Sequence, residues 1–301
     1  MHVLLNVFAA VATHSIHAVP SVTGGETPAL ARVGVMLFVL GLTCDAYLVY
    51  RFFFSNTTQL SGRDCLKVSP PTWGLRELAL ATAAILGAFS IINILYLLLT
   101  AYSARDWVPL MIISNVLLEL SFLAAAAQFF LNRGIGMGTA FGLRAISTVD
   151  ALHWGVVFGL GSLPPVQLLV MLSEKLLQAF GLKSSEQEIA ELFTITNSRP
   201  LLILLVIFAV IIAPVFEECF FRGFAYPVLK QRLGMWRGLV VVSGVFAISH
   251  AHLPSVAPLF VLALGFGLSY ELTGSLLVPI TMHALFNSIM VAQLIYERTH
   301  P

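Results

Sequence analysis

What most constrains this chain is a succession of apolar stretches, each near the length that crosses a bilayer. A span needs about 20 mostly apolar residues. Such stretches occur near 31–54, 77–101, 108–131, 151–173, 201–222, 238–252, 256–272 and 276–296. Inside hydrocarbon a spanning segment must satisfy its own backbone polar groups, which makes continuous spans of this length helical. The chain therefore reads as all-α, a polytopic transmembrane helix bundle of about eight spans. The sixth and seventh are short and separated only by His252-Leu253-Pro254-Ser255, which suggests a tight hairpin. Composition agrees, with 58% of the 301 residues hydrophobic and 10% charged, against about 25% charged in a soluble domain. A net charge of +1 gives no reason to expect nucleic acid as a partner. Cys44, Cys65 and Cys219 are too few and too scattered for a disulfide framework and read as apolar packing.

The charged loops organise the spans. Arg51, Arg63, Lys67 and Arg76 follow the first span, Arg133 and Arg144 the third, and Lys230, Arg232 and Arg237 the fifth. With eight spans these loops share one side, the cytoplasmic one by the positive-inside rule, and both termini lie outside. The loop after the fourth span mixes signs. In it Ser185 and Glu188 form a capping-box pattern, and Ile189, Leu192 and Phe193 recur at helical spacing. Residues 186–196 are thus expected to form a short amphipathic helix on the membrane surface. Asn197 or Ser198 is placed to cap the next helix, with Pro200 in its first turn. Residues 1–30 read as an interfacial or flexible N-terminal segment. A cleaved leader is the alternative, but its basic n-region is missing. His14 and His17, three apart, read as tail histidines rather than metal ligands.

Polar groups inside the spans raise the question of function. Glu217 and Glu218 stand side by side in APVFEECFFRG, with Arg222 one turn later. An ionisable side chain at helix centre costs about 2.5–3.5 kcal/mol on insertion scales, so these groups need partners. Glu218 and Arg222 are four apart and lie on one face, where they pair. Glu217, rotated by about 100°, must face something else. Downstream, FAISH brings His250, and HALFN brings His283 and Asn287 at the same four-residue spacing. A lone intramembrane His or Asn is more often helix–helix glue than catalyst. Three such polar pairs on three apolar helices favour a functional site.

EECFFR, FAISH and HALFN fit E-E-x-x-x-R, F-x-x-x-H and H-x-x-x-N. In this order the chain resembles the CAAX prenyl protease and bacteriocin-processing (CPBP, or ABI) family of intramembrane proteases, to which the Ras-converting enzyme is related. The resemblance covers about residues 185–297. It leaves 31–150 as transmembrane helices of unassigned role and makes 151–297 a CAAX-protease-like catalytic transmembrane domain. It implies an intramembrane endopeptidase acting on a membrane-associated protein or peptide, in a multi-pass protein of a prokaryotic cytoplasmic membrane. It further implies that Glu217 and His250 activate water, that His283 and Asn287 stabilise the oxyanion, and that Glu218 and Arg222 hold the motif in place. Glu217, His250, His283 and Asn287 are expected to converge on one polar cavity that opens toward the side of the Lys230–Arg237 loop, since each is costly in lipid unless partnered. No cofactor is expected.

Two alternatives stay open. One is a zinc-dependent membrane metallopeptidase using Glu217, His250 and His283, although no H-E-x-x-H helix is present. The other is a non-catalytic membrane scaffold or immunity protein. Asp45, Asn115 and Glu119 also sit in spans. Glu119 reads first as structural and second as a lining of the cavity. Glu271, shortly before Gly274, reads as a turn or surface group.

Overall fold

The computed structural model describes residues 28–53, 71–102, 107–181 and 198–299, with positions 68, 192, 193 and 196 between them. His14, His17, Cys65 and most of the expected 186–196 helix lie outside the described residues. Among the described residues all regular structure is helical. The long elements are α1 (Pro28–Phe53), α2 (Leu75–Tyr102), α3 (Val108–Leu131), α4 (Thr148–Ala179), α5 (Arg199–Leu233), α6 (Met235–Ser249), α7 (Val256–Thr273) and α8 (Leu277–Thr299). All except α6 are long and apolar enough to cross a membrane, seven helices in all. The chain is thus a polytopic helical bundle. Leu192 and Phe193 are helical and buried, and they pack with Ile112, Leu205, Ala209 and Val291. At those two positions the chain lies on the bundle itself.

Helix α4 runs through the bundle and packs along α1, α7 and α8. Lipid offers no hydrophobic drive for helices to associate, so close approach of small residues decides the packing. The stretch GVVFG supplies it. A Cβ on Gly155 would lie 2.5 Å from Thr281 Cβ, and one on Gly159 would lie 3.0 Å from Leu285 Cδ2. Both contacts are to α8, the helix that carries His283 and Asn287. On the other flank, Gly41 of α1 admits the ring of Pro164.

Helix α5 departs from α geometry twice. Residues Phe208–Ile212 and Cys219–Ala225 are π-helical, and each segment is followed by a proline two residues after its end, at Pro214 and Pro227. Proline has no N–H to give to the carbonyl four residues back, and a widened turn accommodates the loss. The Ala213 N–H bonds to Phe208 O, five residues back. Ala209 O would next look to position 214, where there is no donor. The Glu217–Glu218 pair sits between the two π turns.

The basic loops gather at one end, as their charges suggested. Trp73 Nε1 donates to Phe224 O at 3.0 Å, Lys230 Nζ donates to Val68 O at 3.0 Å, and Arg133 pairs with Glu77 at 3.5 Å. Glu271 corrects the sequence reading. It is fully buried, accepts from the Tyr226 hydroxyl and pairs with Lys230 at 2.6 Å. It ties the end of α7 to the end of α5 and is not a surface turn group.

Gly155→Val is expected to push α8 off α4 and lower stability by about 1–3 kcal/mol, the usual cost of overpacking. Thermal unfolding in detergent checks this, with Gly87→Val, where nothing lies near the glycine, as a control that stays close to the parent.

Candidate active site

Motif one is built into the widened stretch of α5. Glu217 is 4% exposed, Glu218 0% and Arg222 1%. Arg222 Nη1 donates to Glu218 Oε1 at 2.8 Å, the same-face pair expected from the spacing, and Nη2 donates to Ala263 O of α7 at 2.9 Å. The guanidinium carbon lies 4.7 Å from the ring centre of Phe246 and 4.9 Å from that of Phe266. Phe246 is the first residue of motif two. In low-dielectric surroundings these ring faces favour the cation.

Motif three joins the same carboxylate. His283 Nδ1 meets Glu218 Oε1 at 3.0 Å, while its Nε2 lies 3.9 Å from Glu217 Oε2. A carboxylate oxygen accepts, so Nδ1 carries a proton and Nε2 is the nitrogen turned toward Glu217. The ring stacks on Phe266 at 4.8 Å. Glu218 thus links Arg222 on its own helix to His283 on α8, and Glu217 faces the outer edge of that imidazole.

His250 follows the last residue of α6, in a turn where Ala251 has φ 48. At the end of its span His250 still lies at depth, because the span is short. Fifteen residues rise only about 22 Å, so α6 stops short of a full crossing of about 30 Å. His250 Nδ1 meets Phe246 O at 2.8 Å. The carbonyl can only accept, which leaves Nε2 as the unprotonated nitrogen. His250 interacts electrostatically with both Glu217 and His283.

Asn287 departs from expectation. Its Nδ2 donates to Ala209 O at 2.8 Å, the carbonyl that the π turn and Pro214 leave without a backbone partner. One N–H of the amide is therefore committed to holding α8 on α5, and one remains. The groups expected around an open cavity are largely enclosed. Glu217, Glu218, Arg222 and His283 are packed in, and only His250 and Asn287 are half-exposed, forming the rim. A cavity of about 430 Å³ lies elsewhere, lined by Gly136, Thr139, Gly142 and Arg144. Among the described residues no three His, Cys, Asp or Glu side chains gather at metal-ligating spacing.

The structure adds one ionisable group to this neighbourhood. Glu119 of α3 is 4% exposed and its charge interacts with that of Glu217. No motif spacing pointed to it. Its sequence signal was only that of any acidic residue at the centre of a span.

Comparison with known proteins follows the same boundaries. Residues 199–289 match the family model of the type II CAAX prenyl endopeptidase, Rce1-like. The uncharacterized protein YpbD of Bacillus subtilis (strain 168) is 34% identical over 96 residues, which are 31% of this chain and 47% of YpbD. The chain thus spans about half the length of that curated relative. No solved structure matches. The resemblance read from the three motifs is borne out over the stretch that carries them.

The two glutamates are expected to differ in stability. Glu218→Gln leaves Arg222 buried without its counter-charge, a loss of about 3–5 kcal/mol. Glu217→Gln gives up only the longer 3.9 Å contact to His283 Nε2, a ring that Glu218 still holds at Nδ1, and should lower the melting temperature in detergent much less. Equal losses would contradict the arrangement.

Proposed function

We propose that this chain, Rce1-like over residues 199–289, is an intramembrane endopeptidase that hydrolyses a peptide bond of a membrane-associated protein or peptide. The observation that supports the reading is the link from Arg222 through Glu218 to His283, whose Nε2 lies 3.9 Å from Glu217, with Phe246 touching the rings of both His250 and His283. Glu217 is the group that takes a proton from the attacking water, and His250 Nε2 holds that water by accepting its other hydrogen. The water oxygen bonds to the carbonyl carbon. His283, charged and held at Nδ1 by Glu218, offers Nε2–H to the oxyanion, and Asn287 offers its remaining N–H. The C–N bond breaks as Glu217 returns the proton to the leaving nitrogen. General acid–base help of this kind is worth about 10²–10⁴-fold in rate, and one oxyanion donor about 10²–10³-fold.

In this reading the reaction runs without a bound metal, because each group then has a task suited to its chemistry. The host membrane is the cytoplasmic membrane of a prokaryote, and the half-exposed rim at His250 and Asn287 is where a substrate meets the site.

Glu217→Gln is expected to be folded and inactive. An internally quenched peptide ending in a farnesylated CAAX sequence, and the same peptide without the lipid, assay it beside the parent in nanodiscs. Membrane proteomics of a Glu217→Gln strain against the parent identifies natural substrates. Cleavage by Glu217→Gln at the parent's rate would overturn the assignment. Protein purified with chelator is expected to keep its activity. Stoichiometric zinc by elemental analysis, with activity lost on stripping and regained on re-addition, would instead establish the metallopeptidase.

A further inference from the structure

One buried ionisable group takes no part in that chemistry. Glu119 lies at the middle of α3, and its Oε2 is buried with no hydrogen-bond partner. A buried polar atom left unsatisfied is destabilising, so packing alone does not account for an acid here. Its neighbours locate it. Val116, one turn earlier, packs with Phe208 and Ala213. Phe122, one turn later, meets Phe216 and Phe220 edge-on at 5.2 and 5.7 Å. Glu119 therefore faces the part of α5 that carries Glu217, which agrees with the interaction between their charges.

The cationic groups of the site are engaged with partners other than Glu119. Arg222 is held by Glu218 and Ala263 O, and His283 by Glu218 at Nδ1, with Nε2 3.9 Å from Glu217. Among the described residues no ion pair to Glu119 occurs. Glu217 has His283 beside it, whereas Glu119 has no cation among the described residues, and two carboxyl groups that face each other in this way are best held by one proton on the unpaired one.

Resting on the peptidase reading of Glu217, we propose that Glu119 is a positioning residue of the site, a neutral carboxylic acid that donates a hydrogen bond to ionised Glu217 and aims it at the water. Glu119 keeps its proton throughout. Glu217 alone accepts the water's proton and gives it to the leaving nitrogen. A catalytic base misplaced by about 1 Å can lose 10²-fold in rate, which is the scale of the effect such a contact protects.

The test compares the full chain with Glu119→Gln, Glu119→Leu and Glu217→Gln in nanodiscs. Infrared spectra with deuterium exchange read the protonated-carboxyl C=O band, and the farnesylated CAAX peptide reads cleavage. The band is expected in the parent, lost in both Glu119 variants, and shifted toward a more weakly hydrogen-bonded acid in Glu217→Gln. Glu119→Leu should lower kcat by roughly 10- to 100-fold with KM little changed. Glu119→Gln, whose amide still donates, should recover most of that loss. A band that persists in Glu119→Leu, or stays unmoved in Glu217→Gln, overturns the proposal even if the peptide is not a substrate. Parent-like cleavage by Glu119→Leu beside an inactive Glu217→Gln overturns it alone. Cleavage by Glu217→Gln overturns the peptidase reading beneath it.

Discussion

A guanidinium and a carboxylate removed from water stand at the centre of the half that carries the three motifs, and the helices around them are arranged to meet their needs. Removing two charges from solvent is expensive, and attraction between them repays it only where further hydrogen bonds and good geometry help. Here α5 supplies both charges, α7 supplies the carbonyl of Ala263, α8 supplies His283, and α6 and α7 place Phe246 and Phe266 against the cation. Each of these contacts demands a particular register of its helix. Such a pair adds little net stability over apolar packing, and its effect lies in specifying one arrangement. The reactive-group geometry follows, because His283 cannot satisfy Glu218 without turning Nε2 toward Glu217.

The prolines of α5 act on the same geometry through the backbone. A straight α-helix closes its own ladder and has nothing to offer a neighbour. The widened turn before Pro214 leaves the Ala209 carbonyl to Asn287, and this bond fastens α8 a full turn beyond His283. Two independent ties, one ionic and one to backbone, thus set the α5–α8 contact from either side of Glu217. The glycines of α4 close the remaining side by letting α8 sit deep against it.

The fold class was legible because its signal is long and coarse. Apolar runs near bilayer length leave one backbone solution, and the seven long helices with the short α6 follow the eight stretches closely. The Glu218–Arg222 pair was legible for a local reason, since four-residue spacing on a helix decides it. What could not be read were contacts set by depth and rotation of separate helices. Nothing local says that His283 bonds Glu218 or that Asn287 meets Ala209 O, and the second depends on π turns that the bare presence of proline does not specify. Glu271 was misjudged because an acid near Gly274 looks like a helix end in water, whereas Tyr226 and Lys230 come from 45 and 41 residues away to bury it. Glu119 was underweighted because α3 lies outside the stretch that carries the motifs.

The shortness of α6 also bears on the lipid around the protein. A helix about 8 Å shorter than the hydrocarbon layer creates a hydrophobic mismatch, and the bilayer meets it by thinning on that flank at a cost of fractions of a kcal/mol per Å. The turn at 250–255, with His250 and His252, then lies close to water although it leads into α7, a helix long enough to cross fully. The protein thereby shapes the solvent around it, using nothing more than the length of one helix.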